Sequence, residues 1–263
     1  MRSKPCYLPL VLFISLFFCV SPLLAQEAEP KQETESKQDS ESKPYSFNFG
    51  ADIVSRYVWR GIELGGSPAV PQIQPYGSFD LNANSAGTFS LGIWGSYGFT
   101  GEYSENDFYF KYSLPTSAGT FSATATDYYY PYIDSLKFSN FSGNGEGAHT
   151  VEAAITYNGP ESFPVSLTIS SNIHNDLPEN KSMYVEVGYP VNINGTSLNF
   201  FAGAAQGRSL WHCVETDKFE IINLGFNVSK TIKITQDFSL PVGMSVIMNP
   251  YVKNTYMVFK VSL

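Results

Sequence analysis

From Tyr45 onward the chain repeats one pattern: short stretches in which apolar and polar residues alternate, separated by connections that are by turns short and long. Successive side chains on an extended strand point to opposite faces, so each stretch reads as a strand with one apolar and one polar face. Met183 to Ile193 is the clearest case. Met183, Val185, Val187, Tyr189, Val191 and Ile193 share one face, and Tyr184, Glu186, Gly188, Pro190 and Asn192 share the other. The pattern recurs in Phe89–Phe99, Val165–Ser170, Ile222–Ser229, Leu240–Val246 and Met257–Leu263. No stretch holds a helical period for long.

Counting every candidate predicts twelve strands, near 45–59, 72–82, 88–99, 106–116, 120–132, 148–159, 165–174, 182–194, 197–206, 219–234, 238–248 and 254–263. Short turns follow the even-numbered strands: 83–87, 117–119, 160–164, 195–196 and 235–237. Most other connections are longer, notably 60–71, 133–147 and 207–218. An all-β, antiparallel, up-and-down transmembrane barrel of about 12 strands has this asymmetry, with short turns on the periplasmic side and long loops outside. A soluble sandwich has no reason to sort its connections by length.

Composition agrees with a wall that faces lipid. Charged residues make up 15% of the 263-residue chain, against roughly 25% in ordinary soluble domains. Aromatics also reach 15%, nearly all Tyr and Phe. With odd strands running outward, Phe47, Phe89 and Phe121 fall near the inner interface. Tyr57, Trp59, Tyr97, Phe99 and the run Tyr128-Tyr129-Tyr130 fall near the outer one, which predicts two aromatic girdles. The net charge of −8 argues against nucleic acid as a partner, because phosphate binding needs a basic face.

Ahead of the strands, residues 1–25 read as a secretory signal peptide, with Arg2 and Lys4 as its basic start and Leu10 to Val20 as its apolar stretch. Residues 26–44 carry six acids and three lysines with no apolar side chain larger than alanine besides proline. They read as a disordered periplasmic tether, leaving 45–263 as the barrel. Cys6 and Cys19 leave with the signal, so Cys213 is the one thiol of the mature chain and no internal disulfide is expected.

The segment Gly50-Ala51-Asp52-Ile53-Val54-Ser55-Arg56-Tyr57-Val58-Trp59-Arg60-Gly61, followed by Ser67-Pro68-Ala69-Val70-Pro71, resembles the opening of the TorF-like porin family of outer-membrane barrels. The match is the aromatic-x-x-Arg-Gly strand end, here Tyr57 to Gly61, with a Pro-containing loop after it. Likeness is confined to roughly residues 49–82. The resemblance implies a porin-type barrel and no particular substrate.

Strand parity places candidate pore-lining residues on the inner face: Asp52, Arg56, Arg60, Asp80, Trp94, Lys111, Glu152, Tyr184 and Glu186. A lipid-facing Arg at mid-bilayer costs about 2–4 kcal/mol, so the Asp52–Arg56–Arg60 column belongs in the lumen. Two readings compete. In one, these charges pair and fill a narrow barrel; in the other, they line a path that selects solutes. Inward Tyr76, Trp94, Tyr109 and Tyr184 either stack on a ring-bearing ligand or fill space. Asp127 breaks the pattern by sharing the outward face with Phe121, Ala123 and Ala125; a bulge or a headgroup-level position would accommodate it.

No enzymatic constellation emerges. The chain has three histidines, His149, His174 and His212, no Gly-x-Ser-x-Gly, no phosphate loop and no metal-ligand spacing, so neither catalytic residues nor cofactors are expected. His149 falls on the lipid face, where an outer-membrane phospholipase would carry its base, but no serine is placed to partner it. The expectation is a bacterial outer-membrane channel for small polar solutes, alternatively a non-conducting surface-interaction barrel with a plugged lumen. The partners that go with it are outer-membrane lipid, lipopolysaccharide and the barrel-assembly machinery.

Overall fold

The computed structural model describes residues 43–66, 69–177, 182–209 and 211–263. The expected signal peptide and most of the expected tether lie outside them. Fourteen strands follow in chain order: β1 (Tyr45–Val54), β2 (Tyr57–Trp59), β3 (Ile62–Leu64), β4 (Gln72–Asn82), β5 (Thr88–Gly98), β6 (Ser104–Thr116), β7 (Gly119–Tyr129), β8 (His149–Asn158), β9 (Ser166–His174), β10 (Met183–Ile193), β11 (Thr196–Ala205), β12 (Glu220–Lys233), β13 (Ser239–Asn249) and β14 (Asn254–Ser262).

Twelve of them, β1 and β4 to β14, form a closed antiparallel barrel in which each strand pairs with its neighbours in sequence, and β1 meets β14 at Asp52↔Ser262 and Val54↔Lys260. Closure leaves no lateral sheet edge and turns the alternating pattern into two concentric surfaces. The outer one is apolar and open: Leu91, Ile155, Phe200 and Phe259 stand 47–59% exposed. A belt of this kind is unstable against water and suits hydrocarbon.

Short turns gather at one end of the barrel and long loops at the other, as the connection lengths predict. Asn194-Gly195 shows why a turn is so short: both residues have positive φ (51° and 73°), the type I′ geometry that continues the twist of a hairpin. Phe47, Phe89 and Phe121 stand exposed at the short-turn end, and Tyr97 and Phe99 at the long-loop end. Four residues expected in the outer girdle are not there. Tyr57, Trp59, Tyr128 and Tyr130 are 1–2% exposed and pack inside the barrel.

The cause is a correction to the first strand. β1 stops at Val54 rather than continuing to 59, because Ser55 closes the pairing with Phe259 and the chain then turns into the lumen. Residues 57–64 form a separate two-stranded hairpin, β2–β3, paired as Tyr57↔Leu64 and Trp59↔Ile62.

Candidate functional site

The hairpin turns on Arg60 and Gly61, both with positive φ (44° and 76°), again the geometry of a two-residue type I′ turn. Gly61 also lies against the barrel wall, where any Cβ would overlap the Ile222 carbonyl. Its own carbonyl accepts a 3.0 Å bond from Asn249 Nδ2. A register irregularity at Gly203/Ala204 gives β12 the extra residue, Ile222, on which the hairpin tip rests.

From that tip Arg60 reaches across the lumen. Its Nη1 donates to Glu152 Oε2 at 2.8 Å and its Nη2 to Glu152 Oε1 at 3.1 Å. Nη2 also donates to Ser170 Oγ at 3.0 Å. The guanidinium carbon lies 4.5 Å from the Trp59 ring centre and 4.2 Å from that of Tyr184. A bidentate charged pair flanked by aromatic faces is the arrangement for which Arg, not Lys, is suited.

Residues 206–209 and 211–219 supply the second half of the plug. His212 stacks between Trp59 and Tyr184, 5.5 Å from each, at interplanar angles of 18° and 15°. Arg60 Nη1 stands 3.1 Å from His212 Nε2, and Arg can only donate, so Nε2 accepts. Nδ1 therefore carries the proton and donates to Ser209 Oγ at 2.8 Å, and Ser209 Oγ donates on to Ser182 Oγ. Burial, and then the Arg60 charge, hold the pKa of His212 well below its usual range.

On the opposite side the hairpin packs against β5 and β6. Tyr57 lies 5.7 Å from Trp94 and 6.0 Å from Tyr103. Beneath it are Glu105 and Asp107, 0% and 2% exposed. Glu105 accepts from Tyr103 Oη at 2.5 Å and Tyr130 Oη at 3.2 Å, whereas Asp107 Oδ1 has no hydrogen-bond partner. Burial first, then the charge of Glu105, push the pKa of Tyr57 well up, so its phenol stays neutral. Because the hairpin touches β5, β8, β9, β10, β12 and β13, it occupies the middle of the lumen.

Burial along the inner face changes with depth. Near the long loops, Gln72, Ser96, Tyr128, Thr150, Tyr184 and Asn249 are each 0–2% exposed. Towards the short turns, Ser78, Asp80, Ser90, Lys111, Thr124, Asn199, Asn227, Ser229 and Lys260 are half-exposed. Ser122 and Thr168 depart from the trend and bond across to Ser113 and Thr156. One half of the lumen is thus filled by the two loops, and the other is lined by polar, half-exposed side chains.

The nine expected pore-lining residues divide accordingly. Arg60, Glu152 and Tyr184 form the latch, and Trp94 supports the hairpin. Glu186 accepts from Tyr184 Oη and from Asn223 Nδ2 at 2.9 Å. Asp52 pairs with Lys260 at 3.1 Å. Asp80 and Lys111 lie in one inward row, each opposite Ser90. Arg56 is not on β1; it sits at the mouth and pairs with Glu63 at 3.1 Å. Arg60 leaves the β1 column for the hairpin turn. Tyr76 and Tyr109 face Gly50 and Gly92 directly across the ladder and lie over them, so these rings fill space. Sequence reasoning passed over His212, Ser170, Glu105 and Asp107. The last two share the parity of Lys111, which is the signal that would have placed them.

Asp127 lies on the outer surface as expected and is paired there. His149 Nδ1 stands 2.9 Å from it, while His149 Nε2 donates to the Phe138 carbonyl at 2.8 Å under the stacked ring of Phe141. Both ring nitrogens are engaged, which leaves none for a nucleophile. Among the described residues, no three His, Cys, Asp or Glu side chains converge on a metal position.

Fold and site together define a class: a twelve-stranded β-barrel closed at one end by its own inserted loops. No family model matches the chain, and no curated protein matches it.

Proposed function

We propose that this chain is a bacterial outer-membrane channel for small polar solutes, gated by withdrawal of the 57–64 hairpin, and of His212 that stacks on it, from its outer mouth. The exposed apolar belt supports the membrane setting, and the resemblance to TorF-like porins belongs to the same reading. The observation that carries the gating is the division of the lumen. The block is centred on an insert packed against wall side chains, and the inward residues beyond it are polar and half-exposed. Removing the insert would leave a continuous polar passage.

A permanently closed barrel whose loops meet surface partners is the second reading, favoured by the depth at which Arg60 and Glu152 are held, with side chains 1% and 4% exposed. Planar-bilayer recording separates the two. Replacing residues 57–64 by a short Gly-Ser linker also removes the Trp59 and Arg60 contacts that seat His212 and its loop, so the refolded variant should conduct steadily, and the unaltered chain only in brief openings. A linker variant that folds as a barrel and never conducts would refute the channel.

A further inference from the structure

We infer that the open channel selects small cations over anions, and that Glu105, Asp107 and Glu186 set that preference. The inference rests on the channel reading above and adds its substrate class.

Inside the barrel, four bases have an acid at hand. Lys260 pairs with Asp52, Arg60 with Glu152 and Arg56 with Glu63. Lys111 shares its row with Asp80. Among the described residues no Lys, Arg or His pairs with Glu105, Asp107 or Glu186; their partners are phenols and an amide. These three carboxylates are left over, as is Glu220, which faces inward opposite Ala205 and accepts from Thr216.

Their placement matters as much as their number. Glu105 and Asp107 lie near the long-loop end of β6, and Glu186 near that of β10. Lys111 and Lys260 lie towards the short-turn ends of β6 and β14. When the hairpin withdraws, Arg60 leaves with it and Glu152, near the same end of β8, becomes a fourth uncompensated acid. The exposed mouth is then lined by carboxylates from the β6, β8 and β10 arc of the wall, against the single charge of Arg56, whose partner Glu63 leaves with the hairpin. Asp107 Oδ1 is a buried acceptor without a donor, an oxygen that attracts a partly dehydrated cation and repels an anion. Rings of Asp and Glu are the usual basis of cation selectivity, and such a mouth concentrates the favoured ion by about tenfold or more.

The test is ion selectivity under a KCl gradient, measured on the hairpin-replaced channel and on openings of the unaltered chain. The expected potassium-to-chloride permeability ratio is about ten or higher. Glu186→Gln and Asp107→Asn should each lower it, and with Glu105→Gln added it should approach one. Lys260→Gln should raise it, a change in the opposite direction that generic damage would not produce. A conducting channel with a ratio near one, or one preferring chloride, overturns the inference and leaves the channel reading standing. Absence of conductance in the folded, hairpin-replaced barrel overturns both.

Discussion

Glu152→Gln tests the latch most directly. In the inserted state Arg60 is buried against Glu152, and breaking a buried pair by removing one charge costs about 3–5 kcal/mol. Gln keeps one oxygen to accept from the guanidinium, and Ser170, His212 and the two aromatic faces remain, so the lower end applies, about 3 kcal/mol. In the withdrawn state Arg60 is in water and the substitution costs nothing. The whole penalty therefore bears on insertion and shifts the equilibrium towards withdrawal by about 150-fold. In bilayer recordings the open fraction of Glu152→Gln should rise by roughly that factor. Arg60→Met leaves the opposite charge unpaired and should also open the channel. The double variant Arg60→Met/Glu152→Gln removes both charges and should open less often than either single one. An open fraction for Glu152→Gln equal to that of the unaltered chain, or single effects that simply add, would refute the latch.

Two further outcomes follow from the same structure. His212 is held neutral when inserted but takes a proton near its ordinary pKa of about 6.5 once released. Proton binding thus favours the withdrawn state, so insertion has its full stability above that pH and loses it as pH falls below. The His212 share of the response is an increase in opening between pH 7 and pH 5 of at most about tenfold per unit, read as the difference between the unaltered chain and His212→Gln; identical profiles in the two would contradict the assignment. Leu91, 59% exposed in the middle of β5, tests the membrane setting. Leu91→Arg should destabilise the barrel in lipid vesicles by about 2–4 kcal/mol in urea titrations, and a shift near zero would place that face outside hydrocarbon.

The barrel was legible because membrane strands are built on a strict two-residue period and each short turn carries its own chemistry. The plug was much less so, and the reason is local. A β-hairpin folded into the lumen alternates just as a wall strand does, so the period runs unbroken from Asp52 through Arg56 to Arg60 even though the chain leaves the wall after Ser55. No Gly or Pro marks that departure. Arg60-Gly61 does carry a signal, since Tyr57-Val58-Trp59 and Ile62-Glu63-Leu64 flank a two-residue turn ending in Gly, the pattern of a tight hairpin. Parity still brought Glu152, Tyr184 and Glu186 to the correct surface, because burial of charge is forbidden on the lipid side and wall register is rigid. It could not supply His212, whose position depends on how a long loop folds back onto Trp59 and Tyr184. Period reports which way a wall residue faces; what fills the lumen is decided by contacts such as Arg60 to Glu152, 92 residues apart in sequence. The latch thus lay outside any local pattern, while the acids that surround it lay within one.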